Sequence, residues 1–127
     1  MASPNYADAV LDAALDKVAT CTRVDVCTTE PTTLAEATTT YTKGNYTLTA
    51  GAGNGDWVKA NGDVSGRKLT MTAQSGNNAT GTGAANFVAF TDGAALLAVI
   101  DGDGDTVNSG SPFNIAAVDV IEIRDPT

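Results

Sequence analysis

The run Asp101-Gly102-Asp103-Gly104-Asp105 is the part of the chain whose residue types come closest to a metal site. Alternating Asp residues are typical of the opening of a calcium-binding loop, in which carboxylates at positions one, three and five coordinate the ion. That loop also needs Gly at its sixth position and Glu at its twelfth, but this chain has Thr106 and Pro112 there. The pattern favours an acidic hairpin tip, and a structural calcium site is the alternative.

Cys21 and Cys27 are the two cysteines of the chain. Residues 22–28 alternate as a strand, with Val24 and Val26 facing inward and Cys27 on the polar face. An extended segment holds the two cysteine Cα atoms about 20 Å apart, whereas a disulfide needs less than about 7 Å. An intrachain bridge is therefore excluded unless the chain turns between the two cysteines. Free thiols are one alternative, favoured by synthesis in a cytoplasm, and an interchain disulfide through either cysteine is the other.

Histidine is absent from the chain. Ser-His-Asp and Cys-His catalytic arrangements are therefore impossible within it, and the commonest neutral metal ligand is missing. Two acidic residues could form the carboxylate pair of a glycosidase, but no acid lies in a recognisable context. We predict that the protein is not an enzyme and has no cofactor.

Acidic residues outnumber basic ones by 15 to 7, which gives a net charge of −8. Nucleic acids and anionic membranes bind basic patches, so neither is expected as a partner. The longest apolar run, Ala94–Ile100, is too short to span a bilayer. The first residues lack the basic and apolar regions of a signal peptide, so we expect synthesis in a cytoplasm.

Residues 3–18 have the pattern of an amphipathic helix. Ser3 suits the N-cap and Pro4 the first helical position. Apolar residues recur at three- and four-residue spacing, namely Ala7, Val10, Leu11, Ala14, Leu15 and Val18. Another face carries three acids, Asp8, Asp12 and Asp16. That face is either a solvated surface or an arm that docks on a basic neighbour.

The rest of the chain predicts about eight short strands, with turn sequences every eight to twelve residues or so. The predicted strands are 22–28, 45–50, 56–60, 68–73, 86–91, 94–100, 106–107 and 113–124. Such spacing is typical of an antiparallel β-sandwich or a jelly-roll-like barrel. We therefore predict a mainly β protein, with a helical arm over 1–20 and one β domain over 21–127.

Several local features refine this prediction. Strand 68–73 alternates and strand 86–91 is apolar on both faces, so the two are predicted to be neighbours in one sheet. Asp92-Gly93 predicts a hairpin turn. The apolar residues of 113–124 change parity, which indicates a β-bulge around Asp119–Ile121. The Thr-rich residues 32–44 are interpreted as a surface connection with one helical turn near their start.

A set of moderately specific segments resembles small structural proteins of tailed bacteriophages encoded near head and neck genes. The segments are DVSGRKLT at 63–70, AQSG at 73–76, GTG at 81–83, NFVAFTD at 86–92, LLAV at 96–99 and DVIEIRDPT at 119–127. The resemblance covers most of the chain, including the helix at its start. The acidic run at 101–105 and the two cysteines are not part of the pattern.

The resemblance implies a non-enzymatic virion protein with a β-sandwich, most closely a capsid decoration (cement) protein on the phage head. Its partners would be the major capsid protein and copies of itself, often in trimers. Contacts are expected from the helix and the Thr-rich segment, with candidate residues Asp8, Asp12, Asp16, Thr38 and Tyr41. The family brings no catalytic or cofactor residues.

Two alternative functions are kept. The first is a tail, collar or fibre-attachment protein of the same kind of particle. The second is a carbohydrate- or calcium-binding β-sandwich module. In that module Trp57, Tyr41 and Tyr46 would line a sugar platform, and the acidic run at 101–105 would hold calcium.

Overall fold

A computed structural model describes residues 7–53 and 55–124. The helix α1 spans Asp8–Val18, and a short π-helical segment spans Glu36–Thr40. The strands are β1 (Arg23–Cys27), β2 (Thr42–Thr47), β3 (Trp57–Asn61), β4 (Arg67–Met71), β5 (Gly83–Ala84), β6 (Phe87–Thr91), β7 (Leu96–Asp101), β8 (Thr106–Val107) and β9 (Val118–Ile123). No helix among the described residues is both long enough and apolar enough to cross a membrane.

The strands form three antiparallel sheets. One has four strands in the order β2-β1-β6-β7, one has three in the order β3-β4-β9, and β5 and β8 form a two-stranded ribbon. The protein is mainly β with one N-terminal helix, so the predicted sandwich-like fold class is confirmed.

One apolar core joins the two larger sheets. Trp57 of β3 packs on Phe90 of β6, with ring centroids 5.6 Å apart. Tyr46 of β2 packs on Phe113, at 4.9 Å, and donates its hydroxyl to the Phe113 carbonyl. Because each pair takes its residues from distant parts of the chain, these contacts hold the layers together.

Helix α1 covers one end of the sandwich. Leu11, Leu15 and Val18 are buried, whereas Val10 and Ala14 are exposed, so the buried stripe is narrower than predicted. The helix begins at Asp8 with Ala7 as its N-cap, and the predicted cap at Ser3 and Pro4 lies outside the described residues.

The predicted pairing of strands 68–73 and 86–91 is wrong. β4 lies between β3 and β9, and β6 lies between β1 and β7 in the other sheet. The connection after β4 makes isolated bridges, Gln74 to Ile115 and Asn78 to Pro112, instead of turning back as a hairpin. Strand periodicity carries no information about which sheet a strand joins.

The predicted polar outer face of β1 is also wrong. Asp25 and Cys27 are fully buried, like the inward residues beside them. The π-helical segment covers this face, and its Ala37 packs with Cys27 and Ala89. The Thr-rich connection is therefore a layer of the fold, and the predicted helical turn is longer than expected.

Two local predictions are confirmed. β6 and β7 form a hairpin in which the Asp92 carboxylate accepts hydrogen bonds from the backbone N–H groups of Ala94 and Ala95. Along β4, the partners on β9 pass from Ile121 to Asp119 and leave Val120 out of register, which is the expected bulge.

Candidate functional site

The acidic run at 101–105 does not bring its carboxylates together into a metal-binding group. Asp101 ends β7, and the backbone N–H groups of Gly102 and Gly104 donate to the carbonyls of Asn86 and Ala85. These two hydrogen bonds hold the run alongside Ala85 and Asn86. Within residues 7–53 and 55–124, no group of three or more His, Cys, Asp or Glu side chains could hold a metal.

Both cysteines are free and fully buried. The Cys27 thiol donates a hydrogen bond to the Ala37 carbonyl, with the sulfur 3.6 Å from the oxygen. Burial raises the pKa of each thiol to about 12. The interchain disulfide relied on an outward-facing Cys27, and that premise is wrong because the π-helical segment covers it.

The predicted sugar platform does not exist. Trp57 and Tyr46 are core residues, and the Trp57 indole N–H donates to the Cys21 carbonyl at 3.1 Å. Of the three proposed aromatic residues, only Tyr41 is partly exposed. Since a sugar stacks on an exposed ring face, the carbohydrate hypothesis loses its site.

The acidic face of α1 is largely used inside the molecule. Asp12 binds Arg67 at 2.8 Å and Lys59 at 3.5 Å, and Lys59 also binds Asp16 at 2.8 Å. The hydrogen bond from Arg67 lowers the pKa of Asp12. Asp8 is exposed. These ion pairs fix α1 on β3 and β4, so only part of the face is open to a partner.

A buried polar cluster that the sequence did not indicate positions the π-helical segment. Arg23 binds both oxygens of Asp25, at 2.8 and 2.9 Å, and donates to the Thr38 carbonyl at 3.1 Å. Thr42 donates its hydroxyl to Asp25 at 2.6 Å. The role of Thr38 here is structural, and Tyr41 is half-buried against the same covered face of the sheet.

Strand β7 forms a free sheet edge. It ends the four-stranded sheet, and none of the described residues makes a backbone hydrogen bond to its outer side. Its residues Leu96–Ile100 are apolar on both faces and all partly exposed. A continuous apolar run normally marks a strand flanked on both sides, so this one resembles a central strand placed at an edge.

The other three edges of the two larger sheets are protected against pairing. β2 carries Lys43, whose carbonyl accepts hydrogen bonds from the backbone of Thr80 and Gly81, in the connection between β4 and β5. β3 carries Lys59, and β9 carries two acids as well as its bulge. Charges and bulges of this kind oppose association between sheet edges. β7 has a bulge at Leu97, where its pairing with β6 shifts, but it carries no charge between Leu96 and Ile100.

A cleft of about 820 Å³ lies at the end of the sandwich opposite α1. Helix α1 binds Arg67 at the start of β4 and Asp92 before β7, whereas Ala73, Asp101 and Val118 at the other ends of these layers line the cleft. Its apolar walls are Val26, Val88 and Ile100 on one side and Phe113, Ile115 and Val118 on the other. Because several distant segments line it, no sequence motif indicated this cleft.

Comparison with known protein families, with curated proteins and with solved structures finds no match to this chain.

Proposed function

We propose that the chain is a non-enzymatic structural protein of a tailed-bacteriophage virion, a capsid decoration protein that binds the head lattice and stabilises it. Its partners are copies of itself and the major capsid protein, and it is made in the host cytoplasm before it joins the head. The segment resemblance and the β-sandwich-like fold support this proposal.

The free edge of β7 is the observation that carries it. An apolar edge without charges is costly in a protein that works alone, because it favours uncontrolled association. In a protein that covers a shell, the same edge supplies backbone hydrogen bonds and apolar contact to another subunit. Weak contacts repeated across many identical copies then act together through avidity.

The patch beside β7 extends this surface. Phe87, Leu96, Val99 and Tyr41 are partly buried around the covered cluster of Cys27, Ala37 and Ala89. Their remaining exposed surface adjoins the β7 edge, so a subunit that pairs with β7 would also cover these side chains. Edge and patch together make an assembly surface with no need for a pocket.

The test is quantitative mass spectrometry of purified virions from the phage that encodes the chain, combined with immunogold labelling. We expect a copy number that matches a repeating position of the head lattice, with label over the whole shell. Absence from the virion would overturn the proposal. Label confined to the neck or tail would replace it with the tail or collar function.

A further inference from the structure

The cleft opposite α1 selects a ligand with apolar groups. Its walls come from the inner faces of both layers, through Val88 and Ile100 on one side and Ile115 and Val118 on the other. Its volume of about 820 Å³ lies within the range of sites that bind ligands in other proteins. Apolar side chains that enter it would be removed from water on both sides.

The mouth of the cleft is acidic and has no cation of its own. Asp101, Asp103 and Asp105 line it and are exposed, and none of the lining residues is Lys or Arg. Six of the seven basic residues of the chain form ion pairs with acids outside the cleft. The uncompensated negative charge therefore favours a ligand that carries positive charge next to its apolar groups.

The backbone along one wall favours a polypeptide as that ligand. Asn114, Ala116 and Ala117 are exposed, and the N–H groups of Ala116 and Ala117 form no hydrogen bond with any other described residue. Successive N–H groups of an extended segment point to opposite sides, so an extended chain laid along this wall would pair with one of the two as an added strand. A small organic cation offers no such backbone pairing.

We propose that the cleft binds an extended segment of another polypeptide that has alternating apolar side chains and at least one Lys or Arg. The apolar side chains lie between the two layers, and the basic residue lies at the mouth against Asp101, Asp103 and Asp105. The cleft includes the last two residues of β7, Ile100 and Asp101, but the proposal does not depend on the virion function.

The experiment measures fluorescence anisotropy of two labelled probe peptides with the intact protein. The first is Lys-Val-Thr-Val-Thr-Val-Lys, and the second has Glu in place of both Lys residues. We expect the Lys peptide to bind, with affinity that falls as salt is added, and the Glu peptide not to bind. Equal binding of the two peptides, or no binding of the Lys peptide, would overturn the proposal.

Matched variants locate the binding. The triple variant Asp101→Asn, Asp103→Asn and Asp105→Asn should weaken Lys-peptide binding by about tenfold at low salt. The control triple variant Asp8→Asn, Asp16→Asn and Asp63→Asn makes the same change in net charge away from the cleft and should bind normally. Equal losses in both variants would show only a general charge effect and contradict the site.

A blocking variant tests the cleft itself. Ala117 is exposed, so Ala117→Trp should leave the melting temperature unchanged while its ring fills the cleft and abolishes peptide binding. Two results would overturn the proposal. One is unchanged binding by this folded variant, and the other is concentration-dependent dimerisation of the wild type that Ala117→Trp removes, which would assign the cleft to a second copy.

Discussion

Asp25 shows how a single residue helps to hold the π-helical segment against the sheet. Its side chain is fully buried and accepts hydrogen bonds from Arg23 and Thr42. Arg23 in turn reaches the Thr38 carbonyl in the π-helical segment. A charged group removed from water is stable only when its partners remain, so the cluster links β1, β2 and the segment above them.

The variant Asp25→Ala should lower the free energy of unfolding by about 2 kcal/mol, because it leaves the Thr42 hydroxyl and the Arg23 guanidinium without their acceptor. This loss of stability is at the low end for a buried ion pair, because Arg23 is about one third exposed to water. Urea denaturation provides the measurement. The exposed Asp63 offers the control, and Asp63→Ala should change stability by less than about 0.5 kcal/mol.

The two buried thiols should make the free energy of unfolding decrease as the pH becomes alkaline. Burial raises the pKa of Cys21 and Cys27 from 9.0 to about 12. The unfolded chain thus loses these protons at lower pH than the folded protein does. The stabilising contribution is complete below about pH 9 and is lost as the pH rises toward about 12.

Between those limits each thiol should lower the free energy of unfolding by up to about 1.4 kcal/mol per pH unit. We would measure urea denaturation under reducing conditions at about pH 8 and about pH 10.5. Lys and Tyr residues also titrate in this range, so the double variant Cys21→Ala, Cys27→Ala is the control. A wild type no more sensitive to pH than the variant would contradict the prediction.

The β3–β4 hairpin shows how single positions set an element. Gly66 has a φ of +72°, and a Cβ atom there would overlap the carbonyl oxygen of Ile123 on β9. The Gly62 N–H donates to the Gly66 carbonyl at 2.9 Å and closes the loop. Glycine is needed at 66 for both its backbone conformation and the close approach of β9.

The variant Gly66→Ala should therefore lower the free energy of unfolding more than the same change at a glycine that also has a positive φ but has free space around it. Gly76 is that control, because its φ is +104° and nothing lies within 4 Å of the added Cβ. We expect Gly76→Ala to cost about 1 kcal/mol and Gly66→Ala at least about 1 kcal/mol more. Thermal denaturation of the two variants side by side compares them, and equal losses would refute the clash with Ile123.

The two ends of the molecule differ in whether their acidic side chains are neutralised by basic ones. At the α1 end, Lys59 and Arg67 neutralise Asp12 and Asp16. At the opposite end the three cleft acids have no cation among the lining residues. Of the four edges of the larger sheets, β7 alone combines an apolar sequence with an open backbone in the described part of the chain. Recognition by other chains is therefore expected at β7 and at the cleft.

Self-association through β7 should be lost when a charge is placed on that edge. Val99 lies on the outer face of β7, and Val99→Lys puts a charge where a sister subunit would pack. Sedimentation velocity over a range of concentrations should show oligomers of the wild type and a monomer of the variant. Val58→Lys, on the 45% exposed Val58 of β3, is the control and should associate like the wild type. A wild type that stays monomeric throughout, or a folded Val99→Lys that associates equally, would exclude β7 as the contact.

Features that depend on a few adjacent residues could be predicted from the sequence. Alternation located most of the strands, Asp92-Gly93 located the β6–β7 hairpin, and the change of parity located the bulge at Val120. The fold class followed from the spacing of these elements. Each of these is decided by backbone sterics and by local burial of one face.

Only the tertiary structure decided which elements meet, because contacts between distant segments leave no periodic signal in either one. It placed β4 and β6 in different sheets, put Asp25 and Cys27 beneath the π-helical segment, and left the apolar β7 at an edge. The cleft is also a product of the tertiary structure, since it exists only where separate segments, among them those of Val26, Val88 and Val118, come together. The sequence by itself determined most of the strands and the β6–β7 turn, and long-range packing determined the surfaces that other molecules would contact.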